Sequence, residues 1–155
     1  MIEKEYLANR VANANAAQLV EIVFEGLIDT IKESIAAIES DDANKLKKSI
    51  YKCREILAEL LSTVEGQTEM AQNLRSMYVF LNKLITEGEI EKDVVKLEKA
   101  VKIVMPLYEA WGELGAKETA VVADVKGPSI MAGLTYGKGQ LNDYVLNNES
   151  RWDKG

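Results

Sequence analysis

The chain contains no histidine, a single cysteine, a minority of basic residues and no long apolar run, and each shortage removes a class of function. Without histidine there is no Ser-His-Asp or Cys-His nucleophile pair, no His-ligated zinc, and none of the Glu-x-x-His pairs that hold di-iron in helical proteins. One cysteine cannot build a thiolate metal site or a CxxC redox pair. Cys53 falls among apolar residues at helical spacing, so it reads as a packing thiol in a reducing compartment. No stretch of about 20 apolar residues is present to cross a bilayer. The start, Met1-Ile2-Glu3-Lys4-Glu5, lacks the basic residues and apolar core of a secretory signal. With 19 Lys and Arg against 25 Asp and Glu, the net charge is -6, which argues against nucleic acid and against an anionic membrane as partners. A cytoplasmic, non-enzymatic protein without cofactor or metal is the expectation. Glu25, Glu33, Glu59 and Glu98 could in principle supply acid–base or metal chemistry, but they lie off the apolar positions and read as solvated helix faces.

What the chain has is periodicity. Val20, Phe24, Leu27, Ile31, Ile35 and Ile38 repeat at alternating steps of four and three, as do Leu46, Ile50, Cys53, Leu57, Leu60 and Val64. Met70, Leu74, Met77, Leu81 and Leu84 form a third row, and Ile90, Val94, Leu97, Val101, Val104, Tyr108 and Trp111 a fourth. With ~3.6 residues per turn, each row occupies one face of a helix. Four such helices with short joints predict an all-α protein, an antiparallel four-helix bundle over 15–117. The first 14 residues lack clean periodicity and read as an N-terminal capping segment.

The boundaries have local signals. Asn15 with Gln18 makes a capping box for the first helix, Asp41 or Asp42 caps the second, and Thr68 opens the third. Gly66 and Gly88 read as left-handed stops. Pro106 breaks the pattern inside the fourth row, which predicts a kink or a weakened last turn. From 118 to 155 the chain reads as a Gly-containing flexible tail, because five of its ten glycines fall there. The tail also carries Ile130, Met131, Leu134, Tyr136, Leu141, Tyr144, Val145, Leu146 and Trp152, with a short helix expected near 141–147. Its Gly133-to-Gly139 stretch has the wrong spacing for a phosphate loop.

Several rows are wider than a bundle of this size requires: Leu19, Val23 and Ile28, then Ile56 and Leu61, then Tyr78 and Ile85, then Val95 and Ile103. One reading is a thick core. The other is an apolar groove for an amphipathic partner, in which Tyr78, Tyr108 and Trp111 would serve well because each joins a large apolar body to a polar edge.

Leu19-Val20-Glu21-Ile22-Val23-Phe24-Glu25-Gly26 resembles the first-helix signature of the FliS family of flagellin export chaperones. Lys52-Cys53-Arg54-Glu55-Ile56-Leu57-Ala58-Glu59-Leu60 is similar to its second-helix segment. Leu74 to Leu81 looks like its third-helix Leu-x-x-x-Tyr pattern, and Ala110-Trp111 like the close of its fourth helix. Tyr6 and Val11 fall where the family has an N-terminal tyrosine segment. Two departures are Asn15-Ala16 in place of Ser/Thr-Pro, and Phe24 in place of tyrosine. The resemblance implies a chaperone that binds the disordered C-terminal segment of flagellin, blocks premature polymerisation and delivers its cargo to the export gate, with other flagellar assembly factors as further partners. It also implies that the segment bearing Tyr6 covers part of the groove when cargo is absent. The apolar tail suggests that 130–146 competes for that groove. Candidate partner-contacting residues are Tyr6, Val11, Ile56, Leu60, Tyr78, Val101, Tyr108 and Trp111. The rival readings are a self-associating helical adaptor and a carboxylate- or metal-dependent enzyme.

Overall fold

The computed structural model describes residues 2–120, all of them in helices or short joints. The helices are α1 (Ile2–Asn13), α2 (Ala16–Glu39), α3 (Ala43–Ser62), α4 (Glu69–Glu91) and α5 (Val94–Ala120). The protein is therefore all-helical, with five helices where four rows of periodicity predicted four. The addition is α1, drawn from the N-terminal capping segment, which shows no clean periodicity. Among its described side chains the apolar stripe is thin, Leu7 and Val11, followed by Ala14 in the joint. A 12-residue helix is too short to be stable alone and forms against a body. Expectations for the tail from 121 onward, including the helix near 141–147 and competition by 130–146, lie outside the described residues.

The centre of the fold is α2. Asn15 accepts a hydrogen bond from the Gln18 amide at 2.8 Å, and Gln18 Oε1 accepts one from the Asn15 amide at 3.0 Å, so two otherwise orphaned donors are satisfied. Twelve buried residues follow between Ala17 and Ala37. Among them Phe24, Leu27 and Ile31 are fully buried, and each stabilises the fold by about 1.5–3 kcal/mol. Helix α2 packs against α3 and α5, and α4 packs against the same two, which closes a ring around one core. Ser34 Oγ on α2 lies 2.7 Å from Ser49 Oγ on α3, so these two buried hydroxyls are paired with each other. Cys53 lies buried beside it, and burial pushes its thiol up to about 12.

Asp42 caps α3 by accepting from the Lys45 amide, and Thr68 caps α4 by accepting from Ala71. Gly66 does take the left-handed conformation, φ 84°, but in the joint beyond Thr63, which already closes α3. Gly88 does not stop its helix. It is buried inside α4, where a β-carbon would meet Leu97 Cδ2 at 2.7 Å, so the glycine serves close packing of α5 rather than a turn. The left-handed stop is Lys92, φ 51°. Consequently Ile90, expected to begin the fourth row, lies in the last turn of α4 and is 74% exposed. Pro106 lies inside a helix that continues to Ala120.

The wide rows are mostly core. Leu19, Val23, Ile28, Ile56, Tyr78 and Ile85 are buried, Ile103 is half-buried, and Leu61 and Val95 face outward.

Candidate functional site

Helix α1 makes no packing contact as broad as those among the other four helices. Its seat is a narrow line of side chains: Val11 fully buried, Ala14 buried at the turn and Leu7 half-buried. The polar tether is centred on Glu25 of α2. Arg10 of α1 ion-pairs with Glu25 Oε2, and the Tyr108 hydroxyl of α5 donates to Oε1 at 3.2 Å. One carboxylate thus joins three helices. Burial, followed by the negative charge of Glu25, pushes the Tyr108 hydroxyl above its ordinary value, so it remains a donor at neutral pH. The Arg10 guanidinium also lies 5.7 Å from the centre of the Tyr6 ring, a cation–π distance that links the tether to the single aromatic of α1. Beside the tether is an open hollow of about 250 Å³ lined by Arg10, Asn13, Ala14, Gln18, Glu21 and Ile22.

The same corner is tightened from α5. Asn15 Nδ2 donates to the Gly115 carbonyl at 3.0 Å, and a β-carbon at Gly115 would meet Gln18 Cγ at 2.7 Å. The α2 cap is therefore held by α5 as well as by its own capping box.

The residues singled out from the sequence divide by depth. Tyr6 is 62% exposed, and Val101 and Tyr108 are half-buried. Val11 of α1 and Trp111 of α5 are buried, as are Ile56 and Leu60 of α3 and Tyr78 of α4. The structure joins Tyr108 to α1 through Glu25 and Arg10; it leaves Ile56, Leu60 and Tyr78 facing the core in this conformation. Glu25 is a correction: expected on a solvated face, it is half-buried and doubly hydrogen-bonded. Arg10 was not singled out at all. Its only sequence signal is a basic residue in the last turn of a segment whose helix was itself not legible.

A family model described as flagellar protein FliS matches residues 2–118, which takes in every helix including α1. The chain belongs to this family. Curated FliS relatives are similar at low identity along most of their length. The flagellar secretion chaperone FliS of Bacillus subtilis is 24% identical over 106 residues, covering 68% of this chain and 80% of that protein. The flagellar secretion chaperone of Campylobacter jejuni is 22% identical over 116 residues, covering 74% and 91%. That of Escherichia coli is 22% identical over 106 residues, covering 66% and 78%. At such identities the FliS match speaks for shared architecture and general role, while individual contacts rest on the geometry of this chain.

Among the described residues no group of three or more His, Cys, Asp or Glu side chains is placed to hold a metal, and no helix is long and apolar enough to cross a membrane. What the surface offers is apolar area. Tyr51, Val79, Phe80, Ile90 and Val95 are each exposed, on α3, α4 and α5.

Proposed function

We propose that this protein is a cytoplasmic chaperone that binds the C-terminal segment of flagellin, prevents its premature polymerisation and supports its delivery to the flagellar export apparatus, acting by binding and without catalysis. The observation that carries the reading is the FliS match over residues 2–118, whose curated relatives are named flagellar secretion chaperones. The geometry supports it in two ways. Helices α2 to α5 close a ring around one core, and α1 is attached to that body by a narrow, partly polar seat. A disordered cargo must recover its ordering free energy from a long apolar interface. Lifting α1 would uncover part of such an interface at little cost, because water reaches the tether at Glu25 and, among the described side chains of α1, Val11 is the one large apolar residue that is fully buried.

In this reading Tyr108 and Trp111 belong to the part of the site uncovered when α1 moves, Tyr6 and Val11 travel with α1, and Val101 lies nearer the start of α5. Ile56, Leu60 and Tyr78 hold the helices beneath it. The export gate and other flagellar assembly factors are further proposed partners.

Isothermal titration with a peptide of the last ~40 residues of the host's flagellin tests the reading. One-to-one binding with a negative heat-capacity change and a gain of helical signal is expected. A folded protein that ignores the peptide, and instead sediments as an oligomer, would return the self-associating adaptor to first place.

A further inference from the structure

Glu25 lies where α1, α2 and α5 meet, and its two carboxylate oxygens are used separately. Oε1 accepts from the Tyr108 hydroxyl of α5, and Oε2 is ion-paired with Nη1 of Arg10 on α1. These contacts have different fates when α1 lifts. Tyr108 stays, because α5 packs on α2 within the body, whereas Arg10 leaves with its helix. With α1 seated, the Glu25 side chain is 32% exposed, so water still reaches it. A purely apolar segment laid into the vacated seat would remove that water and return nothing to Oε2. Covering a carboxylate without a counter-charge is costly, so apolar contact alone makes a poor exchange for α1.

The surroundings raise the demand. Glu21 and Asp29 stand one turn to either side of Glu25, so one side of α2 carries three carboxylates. Glu21 also reaches α5, where a β-carbon at Gly112 would meet its Oε2 at 2.7 Å. Its negative charge acts on both Arg10 and Tyr108.

Helix α1 shows how the demand is met. Half-buried Leu7 stands three residues before Arg10 and fully buried Val11 directly after it, so the cation and its apolar anchors share one side of a helix. The guanidinium meets a single oxygen, because Tyr108 holds the other, and the fork of an arginine is therefore not required. A lysine ammonium can make the same contact.

We propose that the cargo segment displacing α1 brings its own lysine or arginine to Glu25 Oε2, within a helical turn of apolar residues that take the places of Leu7 and Val11. Glu25 then passes from a cation of the chaperone to a cation of its cargo, and a segment without a base at that register is refused. This exchange rests on the flagellin-binding reading and adds the chemistry by which cargo is chosen.

The test is isothermal titration of full-length Arg10→Gln and full-length Arg10→Gln/Glu25→Gln with the C-terminal peptide of the host's flagellin. Both variants have lost the α1 ion pair, so they differ in whether cargo meets a carboxylate. Arg10→Gln should bind at least as tightly as wild type, and the added Glu25→Gln should weaken binding about tenfold. Adding Glu33→Gln instead, the same change of charge at an exposed position of α2, should leave the affinity of Arg10→Gln unaltered. Peptides with each Lys or Arg replaced in turn by Gln identify the base. One replacement should weaken binding to Arg10→Gln about tenfold and leave binding to the double variant unchanged, while exchanging that base between Lys and Arg should change little. These peptides leave the chaperone intact, so a folding defect cannot imitate the result. Equal binding by Arg10→Gln and the double variant overturns the proposal alone, as does a difference that survives every replacement in the peptide. A peptide that binds none of the proteins, wild type included, overturns the flagellin reading and the exchange with it.

Discussion

Helices α1 and α2 are adjacent in sequence, yet they are held by different physics. Helix α2 has twelve buried residues and packs on two long neighbours, so its side chains are the core. Among its described side chains, helix α1 has one fully buried large apolar residue, Val11, and an ion pair that water can reach. Removing α2 side chains should weaken the whole molecule, whereas removing α1 side chains should release a single element. That contrast is what a chaperone with a displaceable cover would need, and it can be tested without cargo.

The largest effect belongs to α2. Phe24 has no exposed surface and sits where α2 faces its neighbours, so Phe24→Ala should cost about 3–5 kcal/mol through lost burial and the cavity left behind. Urea unfolding should show one earlier transition for the entire body. A loss below about 1 kcal/mol would mean that α2 is not the organising helix.

Val11→Ala removes two methyl groups, worth about 1.5 kcal/mol at ~0.8 kcal/mol per buried carbon. Here the location of the loss matters more than its size. Hydrogen exchange should speed up across α1 while α2–α5 keep wild-type protection, as for a local opening. Uniformly faster exchange in every helix would show that α1 is a structural part of the core and would remove the distinction drawn between it and α2.

Arg10→Ala should cost less, under about 1 kcal/mol, because its side chain and that of Glu25 remain 26% and 32% exposed. The change should again be confined to α1. Added salt should reproduce part of it in the wild type and none in Arg10→Ala, since screening acts only on a pair that exists.

These contrasts also explain what the sequence made legible. The cap at Asn15 and its return partner Gln18 are three residues apart, so local chemistry was enough to find them. The rows centred on Phe24, Ile50 and Leu81 were visible because a long helix buried on one side repeats its apolar residues. Helix α1 was not visible, because Leu7, Val11 and Ala14 are too few to establish a period. Gly88 misled for a different reason: a glycine required by the approach of Leu97 looks the same in sequence as one required by a turn. The Glu25 site was hidden altogether. Its partners are 15 and 83 residues away, and only the packing of α1 and α5 on α2 brings them together.

The smallest predicted effect isolates the third member of that site. The Tyr108 hydroxyl titrates above its ordinary value of about 10, first through burial and then through the charge of Glu25. A group whose pKa is raised on folding contributes stability that is fully present below its unfolded value and is lost as pH rises through the folded one. The other tyrosines titrate in the same range, so the useful quantity is the difference in urea midpoint between wild type and Tyr108→Phe. That difference should be constant from pH 7 to about 9.5 and should then move against the wild type above about pH 10, where a Tyr108 anion would face the Glu25 carboxylate. A difference that stays flat to pH 11 would mean that Tyr108 does not donate to Glu25 in solution, so that α5 has no part in holding the carboxylate to which Arg10 of α1 is paired.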